Sequence, residues 1–365
     1  MSLTDEFASS AIALKIADYI RTVARPDYPV RLMEFCGSHT AAILRYGLRQ
    51  LLPPGIELLS GPGCPVCVTD QADIDRALYL ARVPGVILTT FGDMLKVPGS
   101  QGSLAEARAE GADVRIVYST MDALQLARDN PSRQVVFLGV GFETTAPTVA
   151  ASIMQAAEQG IDNYAVFSLA KICPPVIKAL LDGGEIQLHG LICPGHVSAI
   201  IGAQPYEFIA RDYGVACVIA GFEPVDILQA VAMLLFQLQA SRPGVEIAYT
   251  RGVMPSGNLQ AINLMNKIFE PTAVSWRGMG KVPDSGLKLR AEYAAHDAEK
   301  LYNIPHMPER EAAGCICGEI LRGVKTPADC ALFERVCTPA HPIGPCMVSS
   351  EGACGAYHSY GDIHG

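Results

Sequence analysis

Val30-Arg31-Leu32-Met33-Glu34 leads into Phe35-Cys36-Gly37-Ser38-His39-Thr40, and Ala41-Ala42-Ile43-Leu44-Arg45-Tyr46 follows. The first run has the apolar density of a buried strand and the last the spacing of a helix, so Cys36 falls in a strand-to-helix turn. Free N–H groups and the positive dipole end at such a turn favour an anion, so the Cys36 thiol is expected to ionise more readily than a free one. His39 follows three residues later, on the same side of the first helical turn. A small buried cysteine in an ordinary turn is the plain alternative, and the surrounding sequence decides between them.

The same unit recurs along the chain. Ile56-Glu57-Leu58-Leu59-Ser60 is a short strand opening into Gly61-Pro62-Gly63-Cys64-Pro65-Val66-Cys67, and a helix is expected over 70–82. Gly85 to Thr90 is a strand opening into Phe91-Gly92-Asp93, and Val114 to Ser119 is another. Val135-Val136-Phe137-Leu138 opens into Gly139-Val140-Gly141-Phe142-Glu143-Thr144-Thr145-Ala146-Pro147. Alternating strands and helices imply parallel sheets covered by helices. Thr40 and Thr145, Ser60 and Ser168, and Gly92 and Gly195 pair up at a near-constant spacing on the order of a hundred residues, which suggests two similar α/β halves facing a cleft. The expected organisation is an N-terminal helix in 1–27 packed on the C-terminal domain, α/β domains over 28–133 and 134–242, and a C-terminal domain over 243–365. Within the last, helices are expected over 258–268 and 285–302, with Asp284 or Ser285 capping the second.

The chain has 365 residues, half of them apolar and 18% charged, so it has ample material for several cores. Its net charge of −9 and lack of a dense basic cluster argue against nucleic acid. Acidic residues occupy the start where a secretory signal carries base, and Ile227 to Leu238 is too short and too interrupted to span a bilayer. A cytoplasmic protein without a membrane partner is expected. In that compartment twelve cysteines point to metal binding or thiol redox chemistry rather than to structural disulfides.

Cys64-Pro65-Val66-Cys67 has the spacing at which two thiols close a redox-active disulfide or chelate one soft metal. Thr144 and Thr145 offer hydroxyls at a helix start, suited to an anion or a cyanide-like nitrogen, although most such residues are plain caps. Glu143, Asp93 and His196 are candidate proton carriers in the same set of loops. Gly139-Val140-Gly141 lacks the third glycine of a dinucleotide fingerprint, and Gly280-Lys281 lacks the hydroxyl residue of a phosphate loop. The tail carries Cys315, Cys317, Cys330, Cys337, Cys346 and Cys354. Without two close C-x-x-C pairs, a [4Fe–4S] cluster held by Cys315 or Cys317 with Cys330, Cys337 and Cys354 is favoured over zinc, which leaves two thiols spare to relay electrons.

Taken together, Cys36-Gly37-Ser38-His39-Thr40, the Gly61–Cys67 turn, the Phe137–Pro147 segment, Pro194-Gly195-His196 and Cys346-Met347-Val348-Ser349-Ser350-Glu351-Gly352 resemble the HypD family of hydrogenase maturation proteins. That resemblance implies a cytoplasmic scaffold on which the Fe(CN)2CO unit of [NiFe] hydrogenases is assembled, with a HypC-type chaperone and a HypE-type cyanide donor as partners. It implies a third, C-terminal domain carrying the [4Fe–4S] cluster. Cys36 would then be a ligand of the mononuclear iron, His39 would tune it or donate to a bound diatomic, and Cys64 and Cys67 would cycle between dithiol and disulfide. A cluster-dependent thiol–disulfide reductase acting on a partner protein is the alternative reading.

Overall fold

The computed structural model describes residues 9–24 and 29–361. Both limits of the expected N-terminal helix unit, 1 and 27, lie outside the described residues. In chain order the strands are β1 (Val30–Glu34), β2 (Ile56–Ser60), β3 (Val86–Thr90), β4 (Val114–Ile116), β5 (Gln134–Gly141), β6 (Tyr164–Ala170), β7 (Gly190–Pro194), β8 (Ala216–Ala220), β9 (Val245–Ile247), β10 (Phe269–Trp276) and β11 (Gly280–Leu289). They form a parallel sheet of order β2-β1-β7-β8-β9, a second parallel sheet of order β4-β3-β5-β6, and an antiparallel β10-β11 hairpin. All of β3, β7 and β8 is buried, as expected for parallel strands covered on both faces.

The expected α/β domains over 28–133 and 134–242 are not the units that the sheets define. The first half gives β1 and β2 to one sheet and β3 and β4 to the other, and the second half does the same with β7-β8 and β5-β6. The repeat survives in a different form, because β2-β1-β7-β8 corresponds strand for strand to β6-β5-β3-β4. Local pattern marks each strand-turn-helix unit, but pairing depends on contacts distant in sequence. Val245 to Ile247 crosses the expected boundary at 243 as well, adding a fifth strand to the first sheet. Where a cleft between halves was expected, one continuous core joins Met33, Phe35 and Leu191 of the first sheet to Leu88, Leu138 and Phe167 of the second and to Trp276 of the hairpin.

Two further expectations are corrected. The helix Ser10–Val23 packs on the helix Pro224–Gln239 of the first sheet, not on the C-terminal domain. Its buried face is Ala13, Ala17 and Ile20; the two alanines are small enough for close approach, Ile20 joins the core of Leu228, Val231 and Leu235, and Tyr19 is exposed. The helix expected over 285–302 is β11 followed by a 3-10 turn at Ala291–His296 and a short helix at Ala298–Leu301. Ser285 does not cap a helix; its buried hydroxyl accepts a hydrogen bond of 2.8 Å from Trp276 Nε1, and that tertiary contact prevails over the helical preference of the segment. The other helix, expected over 258–268, forms as Leu259–Ile268 with Asn258 capping it through a bond to the Ala261 N–H.

Candidate functional site

Cys36 caps the helix Gly37–Arg45 at the carboxyl end of β1, where sheets of this kind bind ligands. Two other segments close around it. The Gly37 N–H donates to the Gly63 carbonyl at 3.0 Å, and a Cβ at Gly63 would lie 2.2 Å from the Cys36 nitrogen. From the tail, Glu351 accepts a 2.6 Å bond from Ser38 Oγ, and a Cβ at Gly37 would meet the Glu351 carbonyl at 2.5 Å. Only backbone without side chains fits at such separations, which is why both positions are glycine.

Beneath the turn, buried Glu34 accepts from the Cys36 N–H at 2.8 Å and from the Thr40 hydroxyl. Burial pushes its carboxyl up to about 7, against those hydrogen bonds. Cys36 is 8% exposed. Burial, with the Glu351 and Glu34 carboxylates beside it, pushes its thiol up to about 12. The expected activated thiol is therefore corrected: desolvation and two like charges outweigh the helix end.

His39 is fully buried, with Nε2 2.8 Å from the Gly221 carbonyl. A carbonyl only accepts, so Nε2 carries the proton of the neutral ring and the unpartnered Nδ1 is an acceptor. Burial lowers its pKa to about 4 and keeps the ring neutral. Its one N–H is committed to Gly221, so donation from this ring to a diatomic is not available in this arrangement. His39 and the exposed His196 both stack on Phe222, at centroid distances of 4.8 and 3.9 Å. Partial burial lowers the His196 pKa, and the Glu351 carboxylate opposes it. Glu34, Phe222 and Glu351 received no site role from residue patterns, although Glu351 lies in a stretch quoted for the family resemblance.

Cys64 and Cys67 form a disulfide with Cα atoms 5.3 Å apart, and Cys64 begins the short helix Pro65–Val68. Pro65 at its first position presets φ and lacks only an N–H that would be unpaired there. Both cysteines are buried, and Cys64 lies one residue beyond the Gly63 contact with Cys36.

The second-half turn divides. Glu143 is buried, accepts from the Cys173 N–H at 2.9 Å through Oε1, and leaves Oε2 without a partner among the described residues. Burial raises its carboxyl to about 7. Burial and then Glu143 raise the Cys173 thiol well above its usual range, and the helix Pro65–Val68 packs on β5. Cys173, which opens the helix Cys173–Gly183 after β6, received no site role from the residue pattern. Thr144 and Asp93 are exposed, and Thr145 makes no capping bond from its side chain. No hydrogen bond among the described residues joins these three to Cys36. Gly139 and Gly141 lie inside β5 rather than in a turn, so they form no dinucleotide loop.

Glu143 carries a testable sign. Its carboxyl holds a proton more tightly in the folded chain than in the unfolded one, so its contribution to stability is present below pH 4.5 and is lost as pH rises toward 7. The gap corresponds to a change on the order of 3 kcal/mol. In urea unfolding, Glu143→Gln is expected to gain on the parent chain by about that amount between pH 5 and 8. Parallel curves for the two chains would contradict the assignment.

All six tail cysteines line one small enclosed pocket with Ile320, Leu332, Phe333 and Met347. Cys317 and Cys346 sulfurs are 2.6 Å apart, and Cys337 accepts from the Ile343 N–H at 3.3 Å. A Cβ at Gly344 would come within 2.7 Å of the Cys315 sulfur. No three His, Cys, Asp or Glu side chains among the described residues are arranged around a single ion. The donor set nevertheless suits a thiolate-bound centre, since no carboxylate or imidazole borders the pocket. The turn Pro345–Met347 packs against the helix Pro65–Val68, which brings the tail to the Cys64–Cys67 disulfide.

Parallel sheets whose strand ends gather thiols beside a cysteine-lined pocket define a thiol-centred α/β protein. No helix among the described residues is long and apolar enough to cross a membrane. Residues 11–361 match the family model described as "HypD: Hydrogenase formation hypA family". The chain belongs to the HypD family of hydrogenase formation proteins. It is 48% identical to the hydrogenase maturation factor HypD2 of Bradyrhizobium diazoefficiens over 99% of this chain and 97% of that one. It is also 48% identical to HypD of Rhodobacter capsulatus, over 99% and 98%. The putative hydrogenase expression/formation protein MJ0993 of Methanocaldococcus jannaschii is 44% identical, over 96% and 97%.

Proposed function

We propose that this chain acts in hydrogenase maturation as a thiol scaffold in the cytoplasm, holding iron while it receives cyanide and carbon monoxide. The observation that carries the reading is the direct packing of the Cys36 turn against both the Cys64–Cys67 turn and the Glu351 segment of the tail. Iron in the Fe(CN)2CO unit is cargo here. Cys36 offers it one soft ligand and a HypC-type chaperone a second, with a HypE-type protein delivering cyanide. A thiol that stays protonated when alone ionises against a metal cation, so burial of Cys36 makes it selective for metal over stray electrophiles.

In this proposal the tail forms the domain that holds a [4Fe–4S] cluster through Cys315, Cys330, Cys337 and Cys354. That choice leaves Cys317 and Cys346, the two sulfurs that already touch each other. A cluster bound there supplies electrons one at a time. Cys317 and Cys346, as a dithiol, reduce Cys64–Cys67 by exchange: they give up two protons and two electrons in closing their own disulfide, and Cys64 and Cys67 take them up as thiols. Iron and sulfide analysis with Mössbauer spectroscopy of the anaerobic chain, alone and with its chaperone, tests this. One low-spin iron beyond the cluster's four is expected in the complex. Four irons only, with reduction of a partner's disulfide, would favour the reductase alternative.

A further inference from the structure

Arg277 is 5% exposed and stands where the Cys64–Cys67 turn meets the tail. Its backbone N–H donates to the Val68 carbonyl at 3.0 Å and its Nε to the Thr69 carbonyl at 3.1 Å, which fixes the side chain to the end of the helix that contains Cys67. The next residue, Gly278, is pressed against Gly318: a Cβ there would lie 2.2 Å from the Gly318 Cα, one residue from Cys317. Arg277 thus spans the two cysteine sites.

Among the described residues its Nη2 is buried without a hydrogen-bond partner. An unpaired buried charge is among the costliest features a fold can hold, and a guanidinium cannot shed it by deprotonation. On the tail side, the cysteine-lined pocket beyond the Gly278–Gly318 contact offers thiols that become anionic on binding a metal.

We propose that Arg277 is the buried counter-cation of the tail's thiolate-bound centre, a positioning residue whose charge and free Nη2–H hold that centre's reduction potential up and couple it to the Cys64–Cys67 turn. This rests on the reading of the tail as a cluster site. A cluster with four thiolates is a net anion and gains negative charge on reduction, so a cation beside it favours the reduced form.

The test is a dye-mediated potential titration of the anaerobic full-length chain, followed by EPR. Arg277→Gln is expected to shift the reduced-to-oxidised ratio at a given potential at least tenfold toward oxidised, a fall of 59 mV for one electron. Arg277→Lys, which keeps the charge and loses the fork, is expected to fall between. Pulsed EPR of the parent chain grown with 15N-arginine is expected to show a 15N coupling to the reduced cluster that Arg277→Lys abolishes, a readout that stands even if the Gln variant fails to fold. A cluster-bearing Gln variant with the parent's potential, or a parent spectrum without 15N coupling, would overturn the role of Arg277 and leave the cluster reading intact. A parent chain without iron and sulfide would sink both, and iron analysis shows that first.

Discussion

Cys36→Ala protein, purified without oxygen together with its chaperone, is expected to lose the infrared bands of iron-bound cyanide and carbon monoxide to background. The reasoning is local. Three segments converge on the Cys36 turn, and among their side chains this is the thiol that is not already tied to another sulfur. His39 has its proton committed to Gly221, and Glu34 has both carboxyl oxygens engaged by Cys36 N–H and Thr40. Removing one sulfur from a small buried side chain costs the fold only about 1 kcal/mol, so circular dichroism and tail iron content should remain those of the parent. Cys36→Ser should fail in the same way, because a hydroxyl keeps the volume but is a hard, weakly ionised ligand for low-spin iron. Full-strength bands in either variant would remove Cys36 from the site.

Gly63→Ala is expected to destabilise the chain by about 3 kcal/mol and to expose Cys36 to alkylating reagents. A methyl at this position would sit 2.2 Å from the Cys36 nitrogen, 2.4 Å from the Phe35 carbonyl carbon and 2.5 Å from the Cys36 Cα. All three are backbone atoms of a strand end locked in register with β2, so no rotamer change relieves the clash. The turn has to part from its neighbour, and the 3.0 Å bond between the Gly37 N–H and the Gly63 carbonyl goes with it. Gly183→Ala is the control, since a Cβ there meets nothing within 4 Å. Its midpoint in thermal or urea unfolding should match the parent's. Equal stability of Gly63→Ala and parent would mean that the two thiol turns are not held together as described.

Much of the site was legible because its parts are local. A strand followed by a short cysteine turn and a helix is written in neighbouring residues, and each such unit formed where expected, from β1 with Cys36 to β2 with Cys64 and Cys67. Glu143 was recognisable as a loop carboxylate, but its burial against Cys173 was not. Thr144 looked like its equal in the same loop and stands in solvent. The Cys36 thiol shows the limit most sharply: its place at a helix start is readable from the sequence and its proton affinity is not, because burial and then Glu351, which arrives from the far end of the chain, raise it. The helix expected over 285–302 failed for a like reason, since Trp276 and Ser285 meet only when the hairpin closes.

From its residue order alone, this protein had already determined the strand-turn-helix units, the internal repeat, the thiols at strand ends and the cysteine-rich tail, since each follows from periodicity and turn chemistry within a few neighbouring residues. Tertiary structure alone decided that the two halves exchange strand pairs between sheets, that the first helix lies on Pro224–Gln239, that Arg277 is bonded to Thr69 two residues beyond Cys67, and that Glu351 is bonded to Ser38 two residues beyond Cys36. Those outcomes depend on which apolar faces meet and which charges lose their water, and both are fixed only when segments far apart in the chain come into contact.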